Sequence, residues 1–296
     1  MTSGPTRRRA AESETGHSRD RTLPPEPAPL PYPVVDNHCH LDIADGERWF
    51  SVEEALAAGA RVAVPRIVNV GCDLTGARWA VDVASAHPEV VAAVSLHPNE
   101  APRLATAGRL DDALSEIERL AAANDRVRAI GETGLDHHRT GPEGRPAQEE
   151  SFRAHIALAK RLDKALVVHD RDAHADVLRV LDEEGVPDRT VMHCFSGDAD
   201  FARECLQRGM WLSFAGTVTF KNADPLRAAL RATPSERLLV ETDAPFLTPM
   251  PYRGRPNASF LVPHTMRAMA TSRETDLDEL CRSVEAATFE AFGGAW

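Results

Sequence analysis

Two histidines separated by one residue, His38 and His40, follow a short apolar run and form the first pattern with a chemical meaning. In an extended segment, side chains two residues apart project from the same side, so both imidazoles could bind one metal ion. Cys39 lies between them and projects from the opposite side, which favours a small buried residue over a third ligand. Cys194, which directly follows His193, is interpreted in the same way. Structural histidines can show the same pattern, so its meaning depends on the rest of the chain.

Ligand-forming side chains also stand at the ends of four apolar runs farther along the chain. They are Glu132, which Asp136 follows, and then His169, His193 and Asp243. In a barrel of parallel strands, the C-terminal strand ends gather on one face, where the active sites of this fold lie. Five strands would then deliver four imidazoles and two carboxylates to a single opening, and we predict a metal site there.

The types of these ligands narrow the chemistry. Imidazole together with carboxylate suits Zn²⁺, Mn²⁺, Fe or Co, whereas carboxylate alone suits Mg²⁺ or Mn²⁺. Six ligands exceed what one catalytic ion needs, so we expect two divalent ions about 4 Å apart with Glu132 as the bridging carboxylate. The reaction would be hydrolysis of a phosphoester or of an amide-like carbonyl. Asp243 could ligate a metal, accept the proton of the attacking water, or do both.

The elements that must position these residues are eight short apolar runs rich in Val and Ile. The runs are 34–36, 66–70, 90–96, 127–131, 165–169, 190–194, 211–214 and 238–241. Because most of them lack strict alternation, they suit a parallel sheet that is covered on both faces.

The segments between the runs have helical spacing. Phe152, Ile156 and Ala159, for example, fall on one face of a helix. Alternating strands and helices predict an α/β fold, a single-domain (β/α)8 TIM barrel. An open doubly wound sheet is the alternative, but the Gly-rich phosphate loop that would favour it is absent from the sequence.

Composition sets further limits on the class of protein. The length of 296 residues and the hydrophobic content of 43% fit one barrel with a sizeable core and exclude wholesale disorder. No apolar run is long enough for a membrane span or a signal peptide, so we expect a cytoplasmic protein without membrane contact. Five scattered cysteines favour free thiols over a disulfide framework.

The charge balance bears on the substrate. With 34 basic and 45 acidic residues the net charge is −11, which argues against a passive nucleic-acid binder. It does not argue against an enzyme that meets phosphate through metal cations.

Residues 1–33 differ from the remainder, 34–296, which we assign to the barrel domain. This segment is rich in proline, has little apolar content and carries the cluster Arg7–Arg9. It cannot bury enough surface to offset its ordering entropy, so we predict a disordered, proline-rich tail. The functional alternative is an arm with weak affinity for an anionic partner.

Four blocks of the sequence resemble the signature blocks of the TatD family, metal-dependent deoxyribonucleases in the amidohydrolase superfamily of TIM barrels. The blocks are HCHLD (38–42), GETGLD (131–136), HCFSG (193–197) and ETDAP (241–245). The resemblance runs from about Val34 to the C-terminus, and it implies divalent-metal-dependent cleavage of DNA phosphodiesters, often as a 3′-to-5′ exonuclease. By the same resemblance, the family's metal positions fall on His38, His40, Glu132, His169, His193 and Asp243, and a histidine near the active site falls on His97.

The sequence departs from the family pattern in four places. Thr133 stands where an aliphatic residue is usual, His137 and His138 follow where aromatic residues are usual, and Ser95 stands where Gly is frequent. The fourth departure is the loop 253–259, just after the ETDAP block. None of these touches a ligand position. Arg253 and Arg255 in the altered loop could grip phosphate oxygens, and we treat them with His97 as candidate substrate contacts.

Two other functions remain open at this point. The same metal site could serve an amidohydrolase-type deacylase, for example one acting on D-aminoacyl-tRNA. Many such hydrolases bridge their metals with a carboxylated lysine, whereas Lys160, Lys164 and Lys221 all lie away from the predicted strand ends. A non-catalytic scaffold would show damaged ligand positions, and all six are intact. We therefore expect an exodeoxyribonuclease with DNA as its partner, and the sequence indicates no stable protein partner.

Overall fold

The computed structural model describes residues 4–12 and 18–296, and its central feature is one eight-stranded parallel sheet in which each strand pairs with the next along the chain. The strands are β1 (Val35–Cys39), β2 (Arg66–Gly71), β3 (Val90–Val94), β4 (Val127–Asp136), β5 (Ala165–Arg171), β6 (Thr190–Met192), β7 (Trp211–Phe214) and β8 (Leu238–Val240). All eight predicted strands are confirmed. The largest difference is that β4 continues five residues beyond its predicted end, through Glu132 to Asp136.

The sheet closes where β1 meets the segment that follows β8. The N–H of Asp243 donates to the carbonyl of His38 at 2.9 Å, and the N–H of His40 donates to the carbonyl of Ala244 at 2.8 Å. Cys39 and Ala244 also form a parallel bridge. The sheet is therefore a nearly closed barrel rather than an open sheet. The hydrogen bonds that close it also hold the HCHLD and ETDAP blocks side by side.

Helices connect the strands and cover the outside of the barrel. They are α1 (Val52–Arg61), α2 (Leu74–Ala86), α3 (Ala101–Thr106), α4 (Leu110–Ala123), α5 (Arg145–Leu162), α6 (His174–Glu184), α7 (Ala199–Gln207), α8 (Asp224–Ala232), α9 (Val262–Arg273) and α10 (Leu277–Ala291). Local sequence fixes several helix starts, as in the capping box that Ser51 and Glu54 form at α1. Across residues 4–12 and 18–296, none of the helices combines the length and apolarity needed to cross a membrane.

The core has two layers, one inside the barrel and one between the barrel and its helices. Successive side chains of a strand face opposite sides, so Val167 joins the inner layer while Val168 joins the outer one. Phe152 and Ile156, on the predicted apolar face of α5, are buried in the outer layer. This packing fixes where the C-terminal ends of the strands stand, and with them the site.

The segment before residue 34 makes contacts that its composition does not predict. Leu30 is only 5% exposed, and its N–H donates to the carbonyl of Val62 at 3.2 Å. Arg7–Arg8 form a two-residue parallel strand with Ile43–Ala44. Composition missed these contacts because many of them are made by arginines and backbone groups rather than by apolar side chains. The prediction of a disordered tail also falls on residues 1–3 and 13–17, which lie outside the described residues, and the domain boundary stays a prediction.

Candidate active site

Glu132 lies at the centre of the cluster that the strand ends form, and its two carboxylate oxygens face different histidines. Oε1 lies 2.5 Å from Nδ1 of His169 and 2.9 Å from Nε2 of His193. Oε2 lies 3.5 Å from Nε2 of His38 and 3.8 Å from Nε2 of His40. A carboxylate whose oxygens point to two separate imidazole sets has the arrangement of a ligand shared between two ions.

Asp243 completes the cluster on the side of β1. Its Oδ1 lies 3.3 Å from Nε2 of His40 and 3.8 Å from Nε2 of His38. The Asp243 side chain is 15% exposed, whereas that of His38 is fully buried. The structure thus brings all six predicted ligands together, with Asp243 on the more open side.

Three groups of side chains in the described part of the chain could each hold a metal ion. They are His38 with His40 and Glu132, His97 with Glu132 and His169, and His38 with His193 and Glu241. The ligand atoms within each group lie within 4.8 Å of one another. Glu132 belongs to two of these groups and His38 to two, so the groups form one continuous site.

Unpaired buried atoms provide an independent test of whether these residues fit a metal. Among the described residues, both ring nitrogens of His38, Nε2 of His169 and Oε2 of Glu241 are buried without a hydrogen-bond partner. A buried polar atom without a partner costs free energy, and such atoms are rare in folded proteins. A divalent cation would supply the missing partner to several of them at once, so the residues present fit divalent metal ions.

Two of the imidazoles are oriented by partners on their far side. Nδ1 of His40 lies 3.0 Å from the carbonyl of Val70, which can only accept a hydrogen bond, so Nδ1 carries the proton and Nε2 is left to bind a metal. Nδ1 of His193 lies 3.1 Å from Oε1 of Glu241 in the same way. Such outer partners fix the ring orientation of metal-binding histidines.

The charges in the cluster shift the pKa values of its carboxylate and of its imidazoles, with different consequences for metal binding. Burial alone would raise the pKa of Glu132, but the positive charges of His193, His97 and His169 hold it well below its usual range. Burial lowers the pKa of His169, yet the charge of Glu132 and the neighbouring Asp136 carboxylate outweigh it and raise that pKa to about 9, so a metal ion must displace a proton to bind this ring. Burial and repulsion from His193 lower the pKa of His38. The central carboxylate is therefore ionised, which is the form that binds a metal.

The three predicted substrate contacts lie in different places. His97 joins the cluster, with Nε2 at 3.4 Å from Oε1 of Glu132. The guanidinium of Arg253 is exposed and lies 4.4 Å from the centre of the Phe220 ring. Arg255 instead donates to the carbonyls of Thr22 at 2.9 Å and Leu23 at 2.8 Å. In the described structure, Arg255 thus holds the N-terminal segment.

Sequence reasoning missed three residues of the site. Glu241 belongs to the ETDAP block, and its place directly after β8 is the signal in the sequence that could have identified it. Ser95 was noted only as a departure from the family, yet its hydroxyl donates to the carbonyl of Glu132 at 2.7 Å. Cys72 lies with Sγ 3.5 Å from Oε2 of Glu132, and no spacing in the sequence indicates this contact.

The cysteines of the chain are all free thiols, as the sequence predicts. Cys39 is fully buried, in agreement with its interpretation as a small buried residue. Cys194, for which the same interpretation was made, is partly exposed and takes a left-handed backbone conformation with a φ of 43°. Neither sulfur belongs to the groups that could hold a metal in the described residues.

Comparison with known proteins identifies the family of the chain. The family model described as TatD related DNase matches residues 35–293. An uncharacterized metal-dependent hydrolase named TatD from Mycobacterium tuberculosis is 42% identical over 267 residues, which cover 89% of this chain and 99% of that protein. The metal-dependent hydrolase YcfH of Escherichia coli strain K12 is 39% identical over 251 residues, covering 84% and 91% of the two chains.

A solved structure gives the same result for the fold. The crystal structure of YjjV, a TatD homolog from Escherichia coli K12, superposes with a TM-score of 0.80 at 25% identity. The match covers 88% of this chain and 98% of the other. The chain therefore belongs to the TatD family of metal-dependent hydrolases.

Proposed function

We propose that this protein hydrolyses phosphodiester bonds of DNA, as a 3′-to-5′ exodeoxyribonuclease that acts on single strands with two divalent metal ions. The observation that carries the proposal is the central position of Glu132, whose Oε1 faces His169 and His193 while Oε2 faces His38 and His40. This arrangement suits two ions, and paired ions suit in-line displacement at phosphorus. The family description and the four signature blocks support the choice of DNA.

When bound, the ions would lower the pKa of a water molecule and neutralise charge that develops on the phosphodiester. Glu132 would bridge them, and the other five cluster residues would complete their ligand shells.

The residues of the chain can also handle the proton that the attacking water loses. Burial opposes ionisation of Asp243, but its hydrogen bond to His40 and the charges of His193 and His38 lower its pKa, so its carboxylate is ionised and able to accept a proton. The Asp243 side chain is also partly exposed, so a water can approach it. His97 lies on the other side of Glu132, where it could donate to a phosphate oxygen.

Hydrolysis of an amide-like bond, as in a deacylase, is the competing function because it could use the same metals. The carboxylated lysine that many such enzymes use does not fit this site. Nζ of Lys160 donates to the carbonyl of Glu184, and Nζ of Lys164 donates to the carbonyl of Val127 at the start of β4. Glu132 takes the central place that a carboxylated lysine would occupy, which favours the phosphodiesterase.

The decisive experiment is a substrate panel with purified protein in Mg²⁺, Mn²⁺ or Zn²⁺. The panel contains single- and double-stranded DNA, RNA, D-aminoacyl-tRNA and small amides. We expect release of mononucleotides from single-stranded DNA, with a 5′-labelled strand shortening stepwise and chelator stopping the reaction. Glu132→Gln should lose nearly all of this activity, whereas the control Glu143→Gln, which changes an exposed residue outside the cluster, should keep it. Hydrolysis of D-aminoacyl-tRNA with intact DNA under every metal would overturn the proposal.

A further inference from the structure

The N-terminal residues 4–12, which we call the arm, lie before the part of the chain that the family model matches, yet they contact the rim of the active site. The N–H of Thr6 donates to the carbonyl of Asp42 at 2.9 Å, and the N–H of Arg9 donates to the carbonyl of Ala44 at 2.9 Å. The arm therefore adds a short parallel strand to the segment directly after His40. Its arginines are the cluster that the sequence singles out and that the hydrolytic site does not use.

Arg9 lies at the edge of the active site, on the side of Asp243. Its Nη1 donates to the carbonyl of Pro245 at 2.8 Å and lies 3.3 Å from Oδ2 of Asp45. Its guanidinium carbon lies 4.8 Å from the centre of the Phe246 ring. The Phe246 ring in turn lies 6.2 Å from the imidazole of His40. One aromatic ring thus separates the guanidinium of Arg9 from a metal-ligand candidate.

Arg7 lies on the same rim and has unused hydrogen-bond donors. Its Nη2 lies 3.6 Å from Asp42 and its Nη1 lies 3.6 Å from Asp73, which are distances of loose ion pairs. Among the described residues, its Nε and Nη2 are shielded from solvent and make no hydrogen bond. Asp73 follows Cys72, whose Sγ lies 3.5 Å from Glu132. The Nε and Nη2 donors of Arg7 face away from solvent, but the side chain as a whole is 39% exposed, so a phosphate can reach the guanidinium from its exposed side.

Arg8 provides the internal contrast. Successive residues of a strand project from opposite sides, so Arg7 and Arg9 share one side of the arm while Arg8 projects from the other. Arg8 is exposed, and within the described residues its side chain makes one long hydrogen bond, of 3.5 Å, to the carbonyl of Gly46. Arg8→Gln is therefore a matched control for substitutions of Arg7 and Arg9.

The segment that begins at residue 18 also contacts the barrel. Arg19 makes two hydrogen bonds to Asp45, at 3.1 Å and 2.6 Å, and its side chain is buried. Arg255 donates to the carbonyls of Thr22 and Leu23. Fixing an arginine at the rim before the ligand arrives reduces the entropy that binding must overcome.

We propose that the arm is a substrate-binding element in which Arg7 and Arg9 bind backbone phosphates of the nucleic-acid strand next to the bond being cleaved. This inference rests on the proposed function. It also accounts for how a chain with a net charge of −11 could hold a polyanion beyond the metal ions themselves.

The test uses the full-length chain with Arg7→Gln, Arg9→Gln, the double variant and the control Arg8→Gln. Anisotropy of a fluorescent single-stranded 12-mer is measured in chelator, where no hydrolysis occurs. We expect about tenfold weaker binding for each of Arg7→Gln and Arg9→Gln, because a hydrogen bond to a charged group contributes about 1.5–3 kcal/mol. The slope of log K against log salt should become shallower by about 0.7 for each lost phosphate contact. Arg8→Gln should bind as the wild type does.

Kinetics provide the second measurement. We expect KM for the oligonucleotide to rise about a hundredfold in the double variant, the product of two tenfold losses, with kcat retained, since the lost binding is uniform. The ratio of kcat/KM for the oligonucleotide to that for bis(4-nitrophenyl) phosphate, which has no neighbouring phosphates, should fall by the same factor. Arg9 also pairs with Asp45, so its replacement by Gln removes a contact of the fold as well as a phosphate contact. The double variant Arg7→Lys/Arg9→Lys keeps both positive charges and should therefore regain part of the affinity for DNA.

The outcomes separate the two proposals. If the double variant binds DNA as tightly as Arg8→Gln does, the proposed role of the arm is wrong. Faster hydrolysis by Arg7→Gln or Arg9→Gln would also contradict it, because it would show that the arm inhibits the active site. A wild type that binds the 12-mer through Arg7 and Arg9 but cleaves no DNA with any metal overturns the proposed function and leaves the arm as a phosphate-binding element.

Discussion

Oε1 of Glu241 lies 3.1 Å from Nδ1 of His193 and also accepts the N–H of Cys194 at 2.9 Å. The carboxylate is completely buried and approaches His193 from the side away from Glu132. It therefore fixes the ring so that Nε2 of His193 faces Oε1 of Glu132, at 2.9 Å. The orientation of a central histidine depends on a residue that follows β8, on another part of the barrel.

Glu241→Gln should weaken metal binding because the amide cannot offer the same charge to Nδ1 of His193. Loss of such an outer partner costs about 10- to 100-fold in metal affinity or activity. Metal competition titrations and kcat at saturating metal distinguish the two effects, and excess metal should restore part of the activity if Glu241 acts by positioning. The control is Glu236→Gln, an exposed residue before β8. Unchanged metal affinity in Glu241→Gln would contradict the positioning role.

Glu132→Gln should lower both the metal content and the rate. Glu132 belongs to two of the three groups that could hold an ion, so its loss affects both positions. We expect fewer than two ions per chain by elemental analysis and a decrease in kcat/KM of about a thousandfold, equal to about 4 kcal/mol of transition-state stabilisation. Two ions per chain in the variant, with hydrolysis at the wild-type rate, would show that Glu132 is not the bridge.

Much of the site was predictable because parallel strands bring their C-terminal ends to one face. His38, His169 and His193 could be placed together from strand position alone, without any knowledge of the angles between the strands. Contacts that depend on those angles were not predictable. The hydrogen bond from Ser95 to the carbonyl of Glu132 links β3 to β4, and nothing in the local sequence of either strand specifies it.

The N-terminal segment shows a second limit of sequence reasoning. Its composition predicts too little apolar burial to offset ordering entropy, and this remains true of most of its residues. Its described contacts come instead from pairs such as Arg19 with Asp45, and such pairs depend on where the barrel places a carboxylate. Arg255 shows that a local motif can also mislead. It was predicted to bind substrate phosphate, but in the structure it donates to the carbonyl of Leu23.

Removal of metal should destabilise the fold as well as stop catalysis. The buried ring nitrogens of His38 make no hydrogen bond within the described residues, so an ion bound there stabilises the native state. At a free metal concentration of about 100 times Kd, the stabilisation is about 2.7 kcal/mol, which corresponds to roughly 5–10 °C in Tm for a domain of this size. Differential scanning calorimetry with metal and with chelator measures it. His38→Ala should reduce the difference, because the group of His97, Glu132 and His169 does not include His38. An identical Tm in both conditions for the wild type would contradict the prediction.

His155 should make the protein less stable in weak acid. Nδ1 of His155 donates to the carbonyl of Ser151 at 2.6 Å, and Nε2 accepts the N–H of Leu96 at 3.2 Å, so the buried ring is neutral with both nitrogens in use. Burial lowers the pKa of His155 to about 4, from an unfolded value of 6.5. Between these values the unfolded state binds the proton and the folded state does not, so stability falls as the pH falls from 6.5 to 4, by about 3 kcal/mol.

Urea unfolding at pH 7 and pH 4.5, with chelator throughout so that metal release does not contribute, isolates this effect in His155→Gln. The variant lacks the titrating ring, so its free energy of unfolding should be below that of the wild type at pH 7. This difference in the free energy of unfolding should be smaller by about 2 kcal/mol at pH 4.5, because only the wild type is destabilised by protonation of His155. His138→Gln, which changes an exposed histidine, should keep a constant gap to the wild type. A gap for His155→Gln that stays constant between the two pH values would show that His155 is not the group that couples folding to protons in this range.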